Sequence, residues 1–263
     1  MKNIKIGLIG WGTVGTGVIK ILKKNRDLIA NRLGKGLEII RIADIDIERS
    51  RDIRVDPSIL TTNPGDIIND PAIDIVVELT GSLDEGEKYI IESLKNKKSV
   101  VTANKALLAQ CGKKLLAASE ESERGLFFEA SVGGGIPIIK ALREGLAANR
   151  IESILGIING TSNYVLDRMT ESGKLFQQAV REAQEKGYAE ADPSLDLKGG
   201  DSAHKLIILA FLAFGAWVEL KDVYVEGIES ITSEDIGFTN DLGYKIKLLA
   251  IAKQRPDGIV GRV

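Results

Sequence analysis

From Asn3 to about residue 130, short runs of aliphatic and β-branched residues alternate with longer stretches in which apolar positions recur every three or four residues. That rhythm marks strand–helix units stacking into a parallel sheet with helices on its faces. Strands are expected at Ile4–Ile9, Leu37–Ala43, Ile73–Leu79, Ser99–Thr102 and Leu126–Phe128. Helices are expected over Val14–Leu33, stopped by Gly34 and Gly36, and near 84–96 and 105–123. Ser131-Val132-Gly133-Gly134-Gly135 interrupts the pattern, and Ile136-Pro137 then reads as the first turn of a helix reaching about Ala148. We place a domain boundary here, giving domains at 1–130 and 131–263. Beyond it the pattern predicts a strand at Ile151–Ile158, helices at Thr161–Glu171 and Leu175–Lys186, and a polar loop from Gly187 to Gly199. A long apolar helix starts near Gly200, and the tail predicts a helix over 233–240 and a strand over 244–252.

Composition narrows the function classes. The chain has 263 residues and 44% hydrophobic content, enough for one large or two ordinary domains. Its 35 basic and 37 acidic residues give a net charge of −2, and neither sign is concentrated, so a small-molecule partner is expected and not a nucleic acid. Cys111 is the only cysteine, which excludes an intramolecular disulfide and a cysteine-built zinc cage and fits a reducing cytoplasm. The N-terminus opens like an export signal but meets Gly7, Gly10, Gly12 and Gly15 before a long apolar run develops, so it reads as a strand. Leu206 to Val218, the longest apolar run, falls short of the roughly 20 residues a membrane span needs. It reads as a buried helix, and no membrane partner is expected.

Gly10-Trp11-Gly12-Thr13-Val14-Gly15 matches G-x-G-x-x-G directly after the first strand and at the start of a helix. In that setting the first glycine makes the tight turn, the second admits a pyrophosphate to the backbone, and the third lets helix and strand pack closely. The helix N-terminus offers N–H groups and partial positive charge to the phosphates. Dinucleotide binding is therefore expected, against the plainer reading of an ordinary glycine turn. Asp44, after the second strand, is the candidate to bond the adenosine ribose of NAD. Arg49 and Arg51 could instead hold the 2′-phosphate of NADP, and Asp44 and Asp46 read equally well as solvated strand-end charges.

Thr102-Ala103-Asn104-Lys105 follows a strand, where ligands of such sheets collect, so Lys105 can reach cofactor or substrate; a surface charge is the alternative. From Gly187 to Lys205 the chain carries Glu190, Asp192, Asp196 and Asp201 with Lys198 and Lys205. Asp201 and Lys205 share a helix face at i, i+4, which alone is a surface pair worth about 0.2–0.5 kcal/mol. The apolar continuation from Leu206 instead makes this the polar first turn of a buried helix, suited to an interior cleft. His204 lacks a metal-binding partner and reads as structural, Cys111 as an idle thiol, and Trp11 as packing beside the cofactor or under the loop.

Several of these motifs in order carry a family resemblance. Gly10–Gly15, Val100-Val101-Thr102-Ala103-Asn104-Lys105, Glu129-Ala130-Ser131-Val132-Gly133-Gly134-Gly135-Ile136-Pro137, Asn159-Gly160-Thr161-Ser162-Asn163-Tyr164 and Gly187–Lys205 resemble homoserine dehydrogenase over nearly the whole chain. The resemblance implies an α/β chain: an N-terminal Rossmann domain with a doubly wound parallel sheet, then an α+β substrate and dimerisation domain. It implies an oxidoreductase that interconverts L-homoserine and L-aspartate 4-semialdehyde with NADP or NAD, in threonine and methionine biosynthesis. By that resemblance Ile9, Gly10, Trp11, Gly12, Thr13, Val14, Gly15 and Thr16 would cradle the cofactor, with Asp44 and Thr80. Lys105 would touch its nicotinamide end and the substrate. Glu190 would bind the substrate amino group, Asp196 and Asp201 would line the pocket, and Lys205 would donate the proton, with Asp201 and Lys105 as its catalytic partners. A sodium ion would sit on Glu129, Val132, Gly134 and Ile136; a flexible hinge is the alternative there.

Two departures qualify the expectation. Gly81-Ser82 stands where the family has Gly-Gly near the nicotinamide, and the chain stops where family members continue, so its second domain looks C-terminally incomplete. A homodimer is expected if that part is complete. The rivals are a non-catalytic NAD(P)-binding redox sensor and a dehydrogenase of another amino-acid semialdehyde.

Overall fold

The computed structural model describes residues 3–263; Met1 and Lys2, the first residues of the segment read as a strand and not an export signal, lie outside them. The chain divides into two compact units, one ending at Gly135 and the other Ile136–Val263.

The first unit runs β1 (Ile4–Ile9), α1 (Thr13–Lys24), α2 (Arg26–Leu33), β2 (Leu37–Ala43), β3 (Leu60–Thr61), α3 (Gly65–Ile68), β4 (Ile75–Glu78), α4 (Asp84–Lys95), β5 (Ser99–Thr102), α5 (Lys105–Ser122) and β6 (Leu126–Phe127). Its six strands lie in the order β3-β2-β1-β4-β5-β6, and every pairing is parallel. This is the doubly wound order of a Rossmann sheet, with its switch point between β1 and β4. The core beside β1 joins Ile6, Leu8, Trp11, Ile19, Ile42 and Val77.

The single helix expected over Val14–Leu33 is two helices. The chain breaks at Asn25 (φ −108°, ψ 21°), which donates its N–H to the Ile21 carbonyl and ends α1. Hydrophobic periodicity does not register such a break, because one residue of altered ψ redirects the axis without interrupting the polar pattern. β3 and α3 were not anticipated either, since elements this short show no period.

The second unit runs α6 (Ile138–Lys140), β7 (Ser153–Gly156), α7 (Gly160–Ser172), α8 (Phe176–Glu185), α9 (Ser194–Leu197), α10 (Gly200–Phe214), β8 (Val223–Tyr224), α11 (Ser233–Asp241), β9 (Ala250–Arg255) and β10 (Gly258–Arg262). The four strands lie in the order β7-β9-β10-β8, antiparallel except for the β10–β8 pair. Val165, Leu166, Met169, Ala179, Val180, Ala183 and Leu197 form a core joined by Ile228, Ile236 and Leu248.

The helix expected from Ile136 to Ala148 is shorter: α6 passes into a π-turn at Ala141–Gly145. The strand expected over 244–252 begins only at Ala250, and α9 interrupts the loop expected from Gly187 to Gly199. The apolar run from Leu206 is a helix up to Phe214, buried as far as Ala210 and half-buried from Phe211, and Gly215 (φ 70°) ends it. Among the described residues no helix is long and apolar enough to cross a membrane.

Candidate functional site

In the first unit the glycine loop follows β1 at the switch point. Leu79 donates its N–H to the Ile9 carbonyl at 2.7 Å, and Gly10 donates to Ala43 at 2.9 Å, so the ends of β4, β1 and β2 meet there. Gly10 adopts φ 98°, and a Cβ on it would stand 2.6 Å from the Leu79 carbonyl group; only glycine fits this crossing. A Cβ on Gly15 would run into the Gly10 carbonyl, which keeps α1 close against the loop. Gly12 is the N-cap of α1, no side chain caps the helix, and the space a Cβ on Gly12 would take is open. That cradle fits the pyrophosphate of a dinucleotide.

Asp44 is spent on the loop. Its carboxylate accepts the Trp11 N–H at 2.6 Å and the Asp46 N–H at 2.9 Å, and it pairs with Arg51 at 3.2 Å. Arg51 donates to the carbonyls of Trp11, Arg49 and Asp46, and its guanidinium lies 4.1 Å over the Trp11 ring. Trp11 is thereby buried under Arg51. Trp11, Gly12, Thr13, Thr16, Lys20, Arg49 and Arg51 line a cleft of about 380 Å³. Ile9 and Gly15 are buried behind it and Val14 is exposed on α1.

A residue that escaped sequence reasoning organises the next loops along the sheet edge. Glu78, fully buried at the end of β4, accepts the Thr80 N–H at 2.8 Å, the Thr80 hydroxyl at 2.6 Å and the Thr102 hydroxyl at 2.7 Å. Its signal was a carboxylate inside an apolar strand, which must find several donors to be tolerated. Asn104 caps α5 by accepting the Leu107 N–H and ties Ser82 by donating to its carbonyl at 2.8 Å. Half-buried Lys105 is thus the first residue of α5, on the same edge as Thr80. Gly81 takes φ 72° in the loop between β4 and α4. On α5, burial and then the hydrogen bond with Glu87 push the Cys111 thiol up to about 11, the opposite of an activated nucleophile.

The positions proposed for sodium fall at the end of this unit and the start of the next. Half-buried Glu129 opens a 3-10 turn, Val132 is buried and extended, and Gly134 has φ 59°. Exposed Ile136 already accepts the Ile138 N–H on its carbonyl at 2.8 Å. Among the described residues no cluster of three His, Cys, Asp or Glu side chains could hold a metal.

In the second unit α7, α9 and α10 converge on a cleft of about 430 Å³ lined by Asn159, Thr161, Tyr164, Tyr188, Asp196, Asp201 and Lys205. Lys205 donates to Asp201 Oδ2 at 2.6 Å and to the Ile158 carbonyl at 2.8 Å. Asp201 is buried while Lys205 is partly exposed to the cleft, as expected of the polar first turn of an otherwise apolar helix. Asn159 donates to both Asp196 and Asp201, at 2.7 and 2.8 Å. Thr161 donates to the Tyr188 carbonyl, which holds the Tyr188 ring 4.9 Å from that of Tyr164. Asp196, Asp201 and Lys205 are therefore brought together; Glu190 is exposed on the α8–α9 loop, outside this lining, and its carbonyl accepts Gln184. Buried His204 lies within α10, adjacent in sequence to Lys205.

Comparison with known proteins covers both units. Residues 10–129 match the family described as homoserine dehydrogenase, NAD binding domain, and residues 137–263 match homoserine dehydrogenase. Homoserine dehydrogenase of Bacillus subtilis is 44% identical over 97% of this chain, which spans 59% of that protein. The crystal structure of a homoserine dehydrogenase from Thiobacillus denitrificans superimposes on the whole chain with a TM-score of 0.95 at 47% identity, over 61% of its own length. A solved chain from Archaeoglobus fulgidus, 34% identical with a TM-score of 0.86, is covered over 82% of its length. With the parallel sheet and its glycine loop in one unit, the Asp201–Lys205 cleft in the other, and both halves matched in order, the chain belongs to the homoserine dehydrogenase family.

Proposed function

We propose that the protein is an NAD(P)-dependent oxidoreductase that interconverts L-aspartate 4-semialdehyde and L-homoserine. The first unit would bind the dinucleotide and the second the substrate. The observation that carries the reading is the Lys205 ammonium, held by Asp201 and the Ile158 carbonyl at the wall of a polar cleft. The bound dinucleotide supplies the hydride that adds to the aldehyde carbon. As that bond forms, the carbonyl oxygen takes up negative charge, which a fixed ammonium stabilises and then neutralises by giving up a proton. Lys205 fills this role, and the neutral amine it leaves regains a proton from water. Asp201 fixes its direction and Asp196 offers a carboxylate to the substrate's amino group, which Glu190 would join from the exposed α8–α9 loop. Gly10, Gly12 and the open N-terminus of α1 receive the pyrophosphate, while Thr80 and Lys105 border the nicotinamide end. Asp44 already accepts two N–H groups and an Arg51 contact, whereas Arg49 lines the adjoining cleft with Lys20, itself paired with Asp52; Arg49 is the candidate for a 2′-phosphate, hence NADP alongside NAD.

The test follows oxidation of NADPH and NADH with aspartate semialdehyde and with other amino-acid semialdehydes. Lys205→Ala is expected to lower kcat by about 10²–10⁴-fold, the range of general acid catalysis, with dinucleotide affinity unchanged. Equal rates in the two proteins would remove Lys205 from the chemistry, and binding without turnover in the unmutated chain would favour a redox sensor.

Two extensions belong to the same reading. A sodium ion on Glu129 and the carbonyls of Val132, Gly134 and Ile136 is supported by the left-handed turn at Gly133 and Gly134. A homodimer through the second unit is supported by exposed Leu155 and Ile157, on and just after edge strand β7. A melting temperature identical in sodium and choline chloride would remove the ion, and a monomer in sedimentation velocity would remove the dimer.

A further inference from the structure

Asn159 precedes α7, and its side chain serves three partners. Its Oδ1 accepts the Ser162 N–H at 2.8 Å and so caps the helix. Its Nδ2 donates to Asp196 Oδ1 at 2.7 Å and to Asp201 Oδ2 at 2.8 Å. That second oxygen is the one that also accepts Lys205 Nζ at 2.6 Å. The residue is only 4% exposed, so water cannot easily replace these bonds.

An amide nitrogen has two N–H donors and no charge. With each donor committed to a different carboxylate, the Asn159 amide ties Asp196 and Asp201 to one nitrogen. The ammonium's other acceptor is the carbonyl of Ile158, the residue before Asn159. Both acceptors of Lys205 are therefore set by the 158–159 segment, one through the backbone and one through the Asn159 amide and Asp201.

We propose that Asn159 is a positioning residue for Lys205: by gripping Asp201 Oδ2 it fixes where the ammonium can lie in the cleft. The consequence for catalysis rests on the function proposed above; the positional link does not. Two substitutions separate the link from the helix cap. Asn159→Ser keeps a good N-cap acceptor but has no amide to reach the two carboxylates. Asn159→Asp keeps the cap and the side-chain length but replaces the donor with a third carboxylate.

The first readout needs no turnover. In the chain labelled with [ε-¹³C]lysine, the Lys205 signal, assigned by its absence in Lys205→Arg, is expected to move in both Asn159 variants while the signal of Lys105 stays in place. The second readout is aldehyde reduction, where kcat is expected to fall about 10- to 100-fold, the scale of a misplaced catalytic group, with dinucleotide affinity unchanged. If Asn159→Ser fails to fold, Asn159→Asp, which keeps the cap, carries both measurements. An unmoved Lys205 signal in a folded variant overturns the proposal, as does a moved signal with unchanged kcat. If the unmutated chain does not reduce the aldehyde, the functional reading falls, and the lysine signal alone decides the link.

Discussion

Glu182 shows how single contacts set a charge. Hydrogen bonds from Lys174, Lys186 and Tyr164 hold its carboxyl at about 2, well below its ordinary 4.5. A depressed carboxyl stabilises the fold above its unfolded-state value and loses that contribution as pH falls through its folded-state value. Glu182→Gln is therefore expected to unfold at lower denaturant concentration than the parent at pH 7, with the difference closing as pH drops from about 4.5 toward 2. A difference that is the same at pH 7 and pH 2.5 would show that packing, not charge, links α7 to α8. Lysines and carboxylates close in sequence were easy to recognise: Asp201 and Lys205 stand on one helix face because i and i+4 do. Asn159 and Glu78 were harder. Their partners Asp196, Asp201 and Thr102 lie far along the chain, and a neutral amide in a motif shows no charge pattern. Glu78 did leave a trace, because Ile75-Val76-Val77-Glu78 places a carboxylate where the strand pattern calls for an apolar residue.

At the scale of elements, the turn between β1 and α1 carries the cofactor reading. Gly10→Ala would force a Cβ to 2.6 Å from the Leu79 backbone at φ 98°, and strain of this kind costs on the order of 1–3 kcal/mol. The expected outcome is a less stable chain with dinucleotide affinity lost, measured by denaturant unfolding and by fluorescence titration with NADPH. Unchanged affinity would mean that the loop does not hold the cofactor. Strands β1, β2 and β5 were legible because each is dominated by aliphatic and β-branched residues. β3, β8 and β10 were not. Two of them have only two residues, and β10 becomes a strand only by pairing with β9 and β8. The same reliance on partners explains why the strand expected from 244 starts at Ala250, where pairing with Gly156 begins.

For the whole molecule, the first unit was the more readable because a repeated strand–helix unit nearly dictates a parallel sheet, and right-handed connections then restrict its order. The second unit mixes one parallel and two antiparallel pairings, which depend on contacts between distant segments. The proposed function needs both: by it the ammonium of Lys205, in the second unit, would act on a substrate that also meets a nicotinamide bound to the first. The most direct measurement is a crystal structure of the chain with NADP and L-homoserine bound. The hydroxyl oxygen of homoserine is expected within hydrogen-bonding distance of Lys205 Nζ, with the carbon bearing it facing C4 of the nicotinamide. A nicotinamide bound at the glycine loop but opening to solvent away from Lys205, with homoserine elsewhere, would contradict it.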